Sequence, residues 1–502
     1  MVNVIIDNRL RFNHKELPKE MYLELKESLT YSNPDFANAK RLGFSTRGIQ
    51  EYITSYTIDA LDKMSIPRGA SYKLKSIANK HNVKLTFIDK RLSVPYTFRT
   101  NIELREYQEK PCRQLVRMEN SLIQGVCGCG KTVILLKAIE DIGQKTLVIV
   151  HERKLQQQWV DSISQFFGIP KEEVGVIGGI AKGKNKIKAI TVAMQQSLLR
   201  DSSKFAGEFG CVVGDEVHRF AASTFQKVID TFPAKYRIGA TATPKRKDKK
   251  EDLVFDQFGR IVAKITDDDL LELGMTHDVK IVVVKTNFEY TGRMIERYKD
   301  ELVGMEDGKE VYEKVLAMSY PDTNQLLSKM VMDKDRNNLI FQFVEAEVHN
   351  GHYCIMLSDR TRFCHNWKRW LSRKDIEASL LIGGGEYKDE GDDAIRRIDN
   401  AGNLHVVIGT TVADEGLDIK RLDRGFSCTP SASNERRIVQ QVGRIKRKCE
   451  GKKDAVWTYF WDHKVKGFDK HLKLLKKYFN TVEVLENDAE IQEYLYHLKG
   501  SY

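Results

Sequence analysis

Gly125-Val-Cys-Gly-Cys-Gly130-Lys131-Thr132 reads G-x-x-x-x-G-K-T. A short, mostly apolar run at 121–124 precedes it, and Val133, Leu135, Leu136 and Ile139 follow at helical spacing. A glycine-rich turn between a strand and a helix lets backbone N–H groups surround phosphate oxygens, with the positive end of the helix dipole facing the same anion. Gly125, Gly128 and Gly130 supply the tight turn, Lys131 reaches the β- and γ-phosphates, and Thr132 ligates Mg²⁺. A flexible surface turn has the same letters. The strand before and the helix after argue against it.

The loop sits within a longer alternation. From about residue 100 to 265, apolar runs at 121–124, 146–151, 189–194, 211–215 and 237–241 alternate with helical stretches. Most are rich in Val, Ile or Leu and nearly continuous, as strands buried on both faces of a parallel sheet are. The alternation predicts βαβ units and a doubly wound sheet. It recurs at 280–285, 353–358, 379–383, 405–410 and 455–461 without a second phosphate loop. The expected fold class is therefore α/β, with two doubly wound parallel-sheet lobes at 96–265 and 266–480. The charge-rich stretch at 287–335 reads as a helical insertion in the second lobe. Residues 1–95 stand apart as a small α+β domain, with helix-like runs at 19–29 and 71–81 and a strand-like run at 83–88. Residues 481–502 read as a C-terminal tail.

Bulk properties agree with this division. A chain of 502 residues is too long for one core. Its net charge of +11 points to a polyanionic partner, nucleic acid first, with a merely soluble basic surface as the alternative. None of the eight cysteines forms C-x-x-C, which leaves no zinc ribbon or redox pair and fits a reducing cytosol. No apolar run approaches the length of a bilayer span, and the start lacks the apolar core of a signal peptide, so no membrane association is expected.

Other short elements gain meaning from their position. Asp215-Glu216-Val217-His218 follows an apolar strand. An acidic pair at the carboxyl end of such a strand lies beside a phosphate loop, where Asp215 holds Mg²⁺ and Glu216 polarises the attacking water. A solvated acidic turn is the plainer reading of D-E-x-H alone. Gln108, within Leu104-Arg105-Glu106-Tyr107-Gln108, offers an amide able to read an adenine edge, or simply starts a helix. Thr241-Ala-Thr243 ends the last predicted strand of the first lobe. Thr410-Thr411 and Asp414-Glu415-Gly416-Leu417-Asp418 end a strand of the second, where small and hydroxyl residues allow close approach of a sugar-phosphate backbone. In Gln440-Gln-Val-Gly-Arg444-Ile-Lys-Arg447, the two arginines are three apart and are expected on one helix face, with planar forks suited to phosphate.

Taken in order, these elements resemble superfamily 2 helicases of the D-E-x-H type over most of residues 104–447, and within them the XPB-like branch and phage recombination helicases of the UvsW type. XPB proteins carry an Arg-Glu-Asp signature, for which this chain has Arg246-Lys247-Asp248. The resemblance implies two RecA-like lobes, ATP and Mg²⁺ as cofactors, and a DNA helicase that unwinds or branch-migrates forked or four-way DNA. It implies catalytic roles for Lys131, Asp215, Glu216, Gln440, Arg444 and Arg447, the last two as arginine fingers. Nucleotide contacts fall to Arg105, Gln108 and Asp418 beside the loop glycines, and metal contacts to Thr132 and Asp215. In the first lobe, nucleic acid is expected at Arg153, Thr191 and Gln195, and in the second at Arg360, Gly384, Thr410 and Thr411. His218, Thr241 and Thr243 are expected to couple the two sites. The N-terminal domain is expected to be an accessory DNA-binding module, the motor monomeric, and its place of work the cytoplasm of a phage-infected host. An RNA helicase, a restriction-system translocase and an ATP-switched clamp that does not unwind remain open as alternatives.

Overall fold

The computed structural model describes residues 1–500 apart from 42–43, 127, 182, 220–221, 243–250, 307–308, 384–386, 411–418 and 430–434. The chain divides into two compact units, Met1–Thr266 and Asp267–Tyr502.

The first unit holds a seven-stranded sheet in the order Gly175–Ile177, Ile190–Met194, Thr146–Val150, Cys211–Gly214, Tyr236–Thr241, Asn120–Gly125, Ile261–Ile265. Every pairing in it is parallel. The second unit holds another seven-stranded sheet in the order Ala378–Leu381, Val406–Gly409, Cys354–Leu357, Arg424–Ser427, Ala455–Trp461, Val279–Lys285, Val482–Leu485, again all parallel. Numbered in chain order within its own sheet, each runs 3-4-2-5-6-1-7. The same topology is therefore built twice, as two doubly wound lobes. Central strands are buried on both faces: Leu147, Val148, Ile149 and Val150 have no exposed surface. Burial of each such side chain stabilises the sheet by roughly 1.5–3 kcal/mol.

Residues 1–89 form a mixed five-stranded sheet, in which Val2–Ile6 pairs antiparallel with Arg9–Asn13 and parallel with Leu85–Asp89. Helices Lys19–Ser28 and Ser71–Lys80 bury Met21, Leu25, Leu74 and Ile77 in the core of this sheet. The module is joined to the amino edge of the first lobe. Arg68, 1% exposed, donates to Asn120 Oδ1 at 2.8 Å and to the Lys235 carbonyl at 2.7 Å. Arg237, fully buried, donates to the Asn8 carbonyl at 2.7 Å. Lys73 pairs with the buried Asp256 at 2.8 Å. Beyond the module, the chain runs along the same edge, with Leu92 bridging Ala234 and Pro95 bridging Gln144.

Two expectations need correction. The stretch at 287–335, read as helical, holds two paired antiparallel strands, Met294–Glu306 and Lys309–Pro321, before the helix Thr323–Met332. Charges at 296, 299–301, 306 and 309–310 interrupt the period-two apolar pattern by which a strand is recognised in sequence. Residues 481–502 are not a tail. Val482–Leu485 is the edge strand of the second sheet, and the helix Asp488–Lys499 buries Ile491 and Leu495 against that lobe. Four apolar residues at the edge of a sheet give too little local signal to be read as a strand. The short strands Gly175–Ile177, Ile261–Ile265 and Arg424–Ser427 were not anticipated either.

Candidate functional site

Register brings the site together. In the first sheet Cys211–Gly214, Tyr236–Thr241 and Asn120–Gly125 are adjacent and parallel, so the chain leaves all three at one carboxyl edge. The phosphate loop leaves the third, Asp215 and Glu216 the first, and Thr241 ends the second. This is the edge at which open parallel sheets bind ligands.

Helix Lys131–Ile142 starts directly after Gly130, whose φ is +81°. A side chain there would be strained, and its Cβ would sit against Gln108 Nε2, well inside van der Waals contact. Val126 N–H donates to the Ile265 carbonyl at 3.2 Å, which pins the loop to the neighbouring strand. Lys131 Nζ donates to the Gly125 carbonyl at 2.9 Å and lies 3.6 Å from Glu216 Oε1. The ammonium thus already bridges loop and acidic turn. Gln108, 5% exposed, donates to the Cys129 carbonyl at 3.1 Å, as does the Tyr107 hydroxyl, while Gln108 Oε1 accepts from Arg105 N–H at 3.0 Å. Reading an adenine edge therefore requires this amide to exchange partners. Arg105 lies exposed just before the helix Glu106–Met118.

Asp215 is 4% exposed, and its two oxygens accept from Glu216 N–H at 2.9 Å and from the Trp159 indole N–H at 2.8 Å. Burial first, and the neighbouring Glu216 second, raise its pKa above the usual carboxylate range. Glu216 adopts φ +48° and accepts from Ala242 N–H at 3.2 Å. His218 Nδ1 lies 2.7 Å from Thr241 Oγ1 and 3.3 Å from Glu216 Oε2. The expected link between the acidic turn and the end of the last strand is thus a direct contact at Thr241. Thr243 lies outside the described residues. A buried Asp215 and a partly exposed Glu216 beside the Thr132 helix start could share a divalent cation, which would relieve the cost of burying the Asp215 charge. Among the described residues no group of three or more His, Cys, Asp or Glu side chains is placed to hold a metal.

Farther along the same edge is a cavity of about 340 Å³ lined by Arg153, Arg200, Asn185, Ser197 and the Gly178-Gly179 turn, among others. Gly178 and Gly179 have φ of +69° and +56°, and a Cβ at either would collide with Ser197 or Gln156. Gln156, fully buried, donates to the Val192 carbonyl at 3.0 Å and accepts from Ile180 N–H at 3.0 Å, which fixes that turn. Two guanidinium groups with hydroxyl and amide donors suit a sugar-phosphate backbone, and one carboxylate, Asp201, also lines the cavity. Arg153, expected to touch nucleic acid, lines this cavity. Gln195, 7% exposed, begins the adjoining helix Gln195–Asp201. Thr191 does not contribute: it has no exposed surface, and its hydroxyl bonds to Lys188 N and O at 3.0 Å. It is the second residue of the strand Ile190–Met194, and so lies toward the amino end, away from the edge that carries the cavity. Gln156 and Trp159 were missed. A glutamine in the i, i+3, i+4, i+7 apolar stripe with Trp159, Val160 and Ile163 was the available signal.

In the second unit, the position equivalent to the phosphate loop follows Val279–Lys285. There Asp462, fully buried, accepts from Arg336 Nε at 2.7 Å and from the Thr286 hydroxyl at 2.5 Å. A buried ion pair, Arg336 with Asp462, thus sits beside this position. Arg360 Nη2 donates to Asn324 Oδ1 at 2.7 Å, and Thr410, 8% exposed, donates its N–H to the Leu381 carbonyl at 3.3 Å. Arg444 and Arg447 do not share a helix face. The helix Glu435–Val442 gives way to a tight turn Gly443–Ile445 carrying Arg444, and Arg447 bridges Thr276 in extended pairing. Gly384, Thr411 and Asp418, and the side chain of Gln440, lie outside the described residues.

Comparison with known proteins accords with this layout. Residues 101–246 match the family model "Type III restriction enzyme, res subunit", and residues 335–449 match "Helicase conserved C-terminal domain". A probable helicase of Escherichia phage T5 is 26% identical over 379 residues, spanning 74% of this chain and 75% of its own length. The DNA 3'-5' translocase XPB2 of Sulfurisphaera tokodaii is 25% identical over 370 residues, spanning 71% of this chain and 81% of its own. The solved structure of S. cerevisiae Dbp5 bound to RNA and ADP BeF3 superposes with a TM-score of 0.53 at 13% identity, covering 78% of this chain and 93% of that one, a likeness of fold. The first matched region holds six of the seven strands of the first sheet, with Lys131 and the acidic turn, and the second holds four of the seven strands of the second sheet. The chain accordingly carries the paired domains of an ATP-hydrolysing superfamily 2 helicase, and is similar to phage helicases and XPB translocases.

Proposed function

We propose that this enzyme couples ATP hydrolysis to movement along DNA, and that it unwinds or branch-migrates forked and four-way junctions in recombination, repair or replication. The observation that carries the reading is the basic cavity around Arg153, Arg200 and the Gly178-Gly179 turn, on the same sheet edge as Lys131 and Asp215. Its donors suit phosphates rather than base edges, so binding is expected to be weakly sequence-dependent and strongly salt-dependent. DNA is preferred to RNA because relatives of this chain include a DNA translocase. In this reading Thr132 and Asp215 hold Mg²⁺, which would stabilise charge on the transferred phosphoryl group. Lys131 binds the phosphates, Glu216 orients the attacking water, and Arg444 and Arg447 supply guanidinium groups to the triphosphate. The N-terminal module contributes to recognition of branched substrates. The motor acts as a monomer in the cytoplasm of a phage-infected cell.

The test is ATPase stimulation across single-stranded, duplex, forked and four-way DNA and single-stranded RNA, paired with strand displacement on the fork. Forked or four-way DNA should stimulate most. Strongest stimulation by RNA would overturn the substrate, and hydrolysis without strand displacement would favour a clamp. Lys131→Ala should abolish turnover and leave DNA affinity within about twofold, since it removes a phosphate ligand and no backbone contact.

A further inference from the structure

The carboxylate of Asp215 is held at both oxygens, and one holder comes from a distant helix. Trp159 lies 56 residues earlier in the chain, inside Arg153–Phe167, and donates its indole N–H to Asp215 Oδ2 at 2.8 Å. The indole is 1% exposed, and its neighbours Val160 and Ile163 are in the same core. It is rigid, carries one donor and no acceptor, and is neutral. A lysine or arginine in its place would orient the carboxylate but also cancel its charge, and so compete with a cation. A neutral donor fixes direction and leaves the negative charge to a metal. The other oxygen accepts from Glu216 N–H at 2.9 Å, so neither carboxylate oxygen is free to swing. Outer-shell donors of this kind set the direction in which a ligating group presents its lone pairs.

We propose that Trp159 is the positioning residue for Asp215, aiming its carboxylate at Mg²⁺ of the bound nucleotide. The inference rests on the phosphate-loop assignment and adds to it a dependence that a merely space-filling tryptophan would not produce. The test measures binding of the fluorescent nucleotide mant-ADP to the full chain, once with Mg²⁺ and once with EDTA. Trp159→Phe keeps most of the ring volume and removes the donor. Its affinity in EDTA should stay within about twofold of wild type, while the gain in affinity on adding Mg²⁺ should fall by about tenfold, the low end for loss of an outer-shell partner. Val160→Ala is the packing control. It is 4% exposed on the same helix, and should lower the melting temperature while keeping the full Mg²⁺-dependent gain. An undiminished gain in Trp159→Phe, or an equal loss in Val160→Ala, overturns the proposal. Should Trp159→Phe fail to fold, the wild type still decides. Among the five tryptophans, one indole N–H resonance of ¹⁵N-labelled, ADP-bound protein should shift on adding Mg²⁺, and five unmoved resonances would refute it. Failure of the wild type to bind mant-ADP in EDTA would instead sink the phosphate-loop assignment itself.

Discussion

Replacing Gly130 by alanine should weaken nucleotide binding through two separable effects, and the structure says which partner isolates them. The residue holds φ +81°, where an alanine is disfavoured by about 1–2 kcal/mol. Its Cβ would also press on Gln108 Nε2. The far end of a glutamine could ordinarily swing away, but this one is 5% exposed and donates to the Cys129 carbonyl at 3.1 Å. Displacing it forfeits a buried hydrogen bond, about 1 kcal/mol. A loop that relaxes out of the phosphate-receiving shape must be restored on binding, so both terms enter the affinity. Gly130→Ala alone should therefore cost about 2–3 kcal/mol, and Gly130→Ala in a Gln108→Ala background only the backbone part, about 1–2 kcal/mol. The coupling between the sites is about 1 kcal/mol, close to a fivefold difference in dissociation constant. Mant-ADP titration of the wild type, both single variants and the double variant completes the cycle, and the intrinsic contribution of Gln108 to binding cancels within it. Additivity within about 0.3 kcal/mol would show that Gln108 does not brace the loop and that Gly130 is required for its backbone conformation alone.

Two further predictions concern the second unit. Asp462→Ala strips the counter-charge from Arg336, whose side chain is 1% exposed, and should destabilise the fold by about 3–5 kcal/mol, while joint replacement by Arg336→Met and Asp462→Leu should recover most of the loss. Thermal melting of the three proteins checks this, and a single variant as stable as wild type would refute it. Lys452, half-buried and donating to the Leu422 and Ile445 carbonyls, has its pKa pushed down to about 8, chiefly by desolvation. The folded state then binds fewer protons than the unfolded state above pH 8, so this residue's penalty is full below that pH and fades as pH rises towards the ordinary lysine value. Relative to Lys452→Met, the wild type should gain melting temperature between pH 8 and 10. A constant gap would contradict the assignment.

Residue order alone determined the chemistry at Gly125–Thr132 and Asp215–His218, and the presence of two α/β lobes with one phosphate loop. These are local properties: glycine spacing, a lysine at a helix start, apolar runs long enough to be buried strands. Tertiary structure alone decided which side chains meet across the sheet. The Trp159 indole meets Asp215, Gln108 braces the loop at Cys129, and Thr191 is fully buried with its hydroxyl on Lys188 and does not line the cavity beside Arg153. It also made strands of Met294–Glu306 and Lys309–Pro321 and folded 482–499 onto a sheet edge. Such contacts depend on the 3-4-2-5-6-1-7 order and on register. A single-residue slip in register reverses the face each side chain takes, and no local run of residues records which strand will lie beside it.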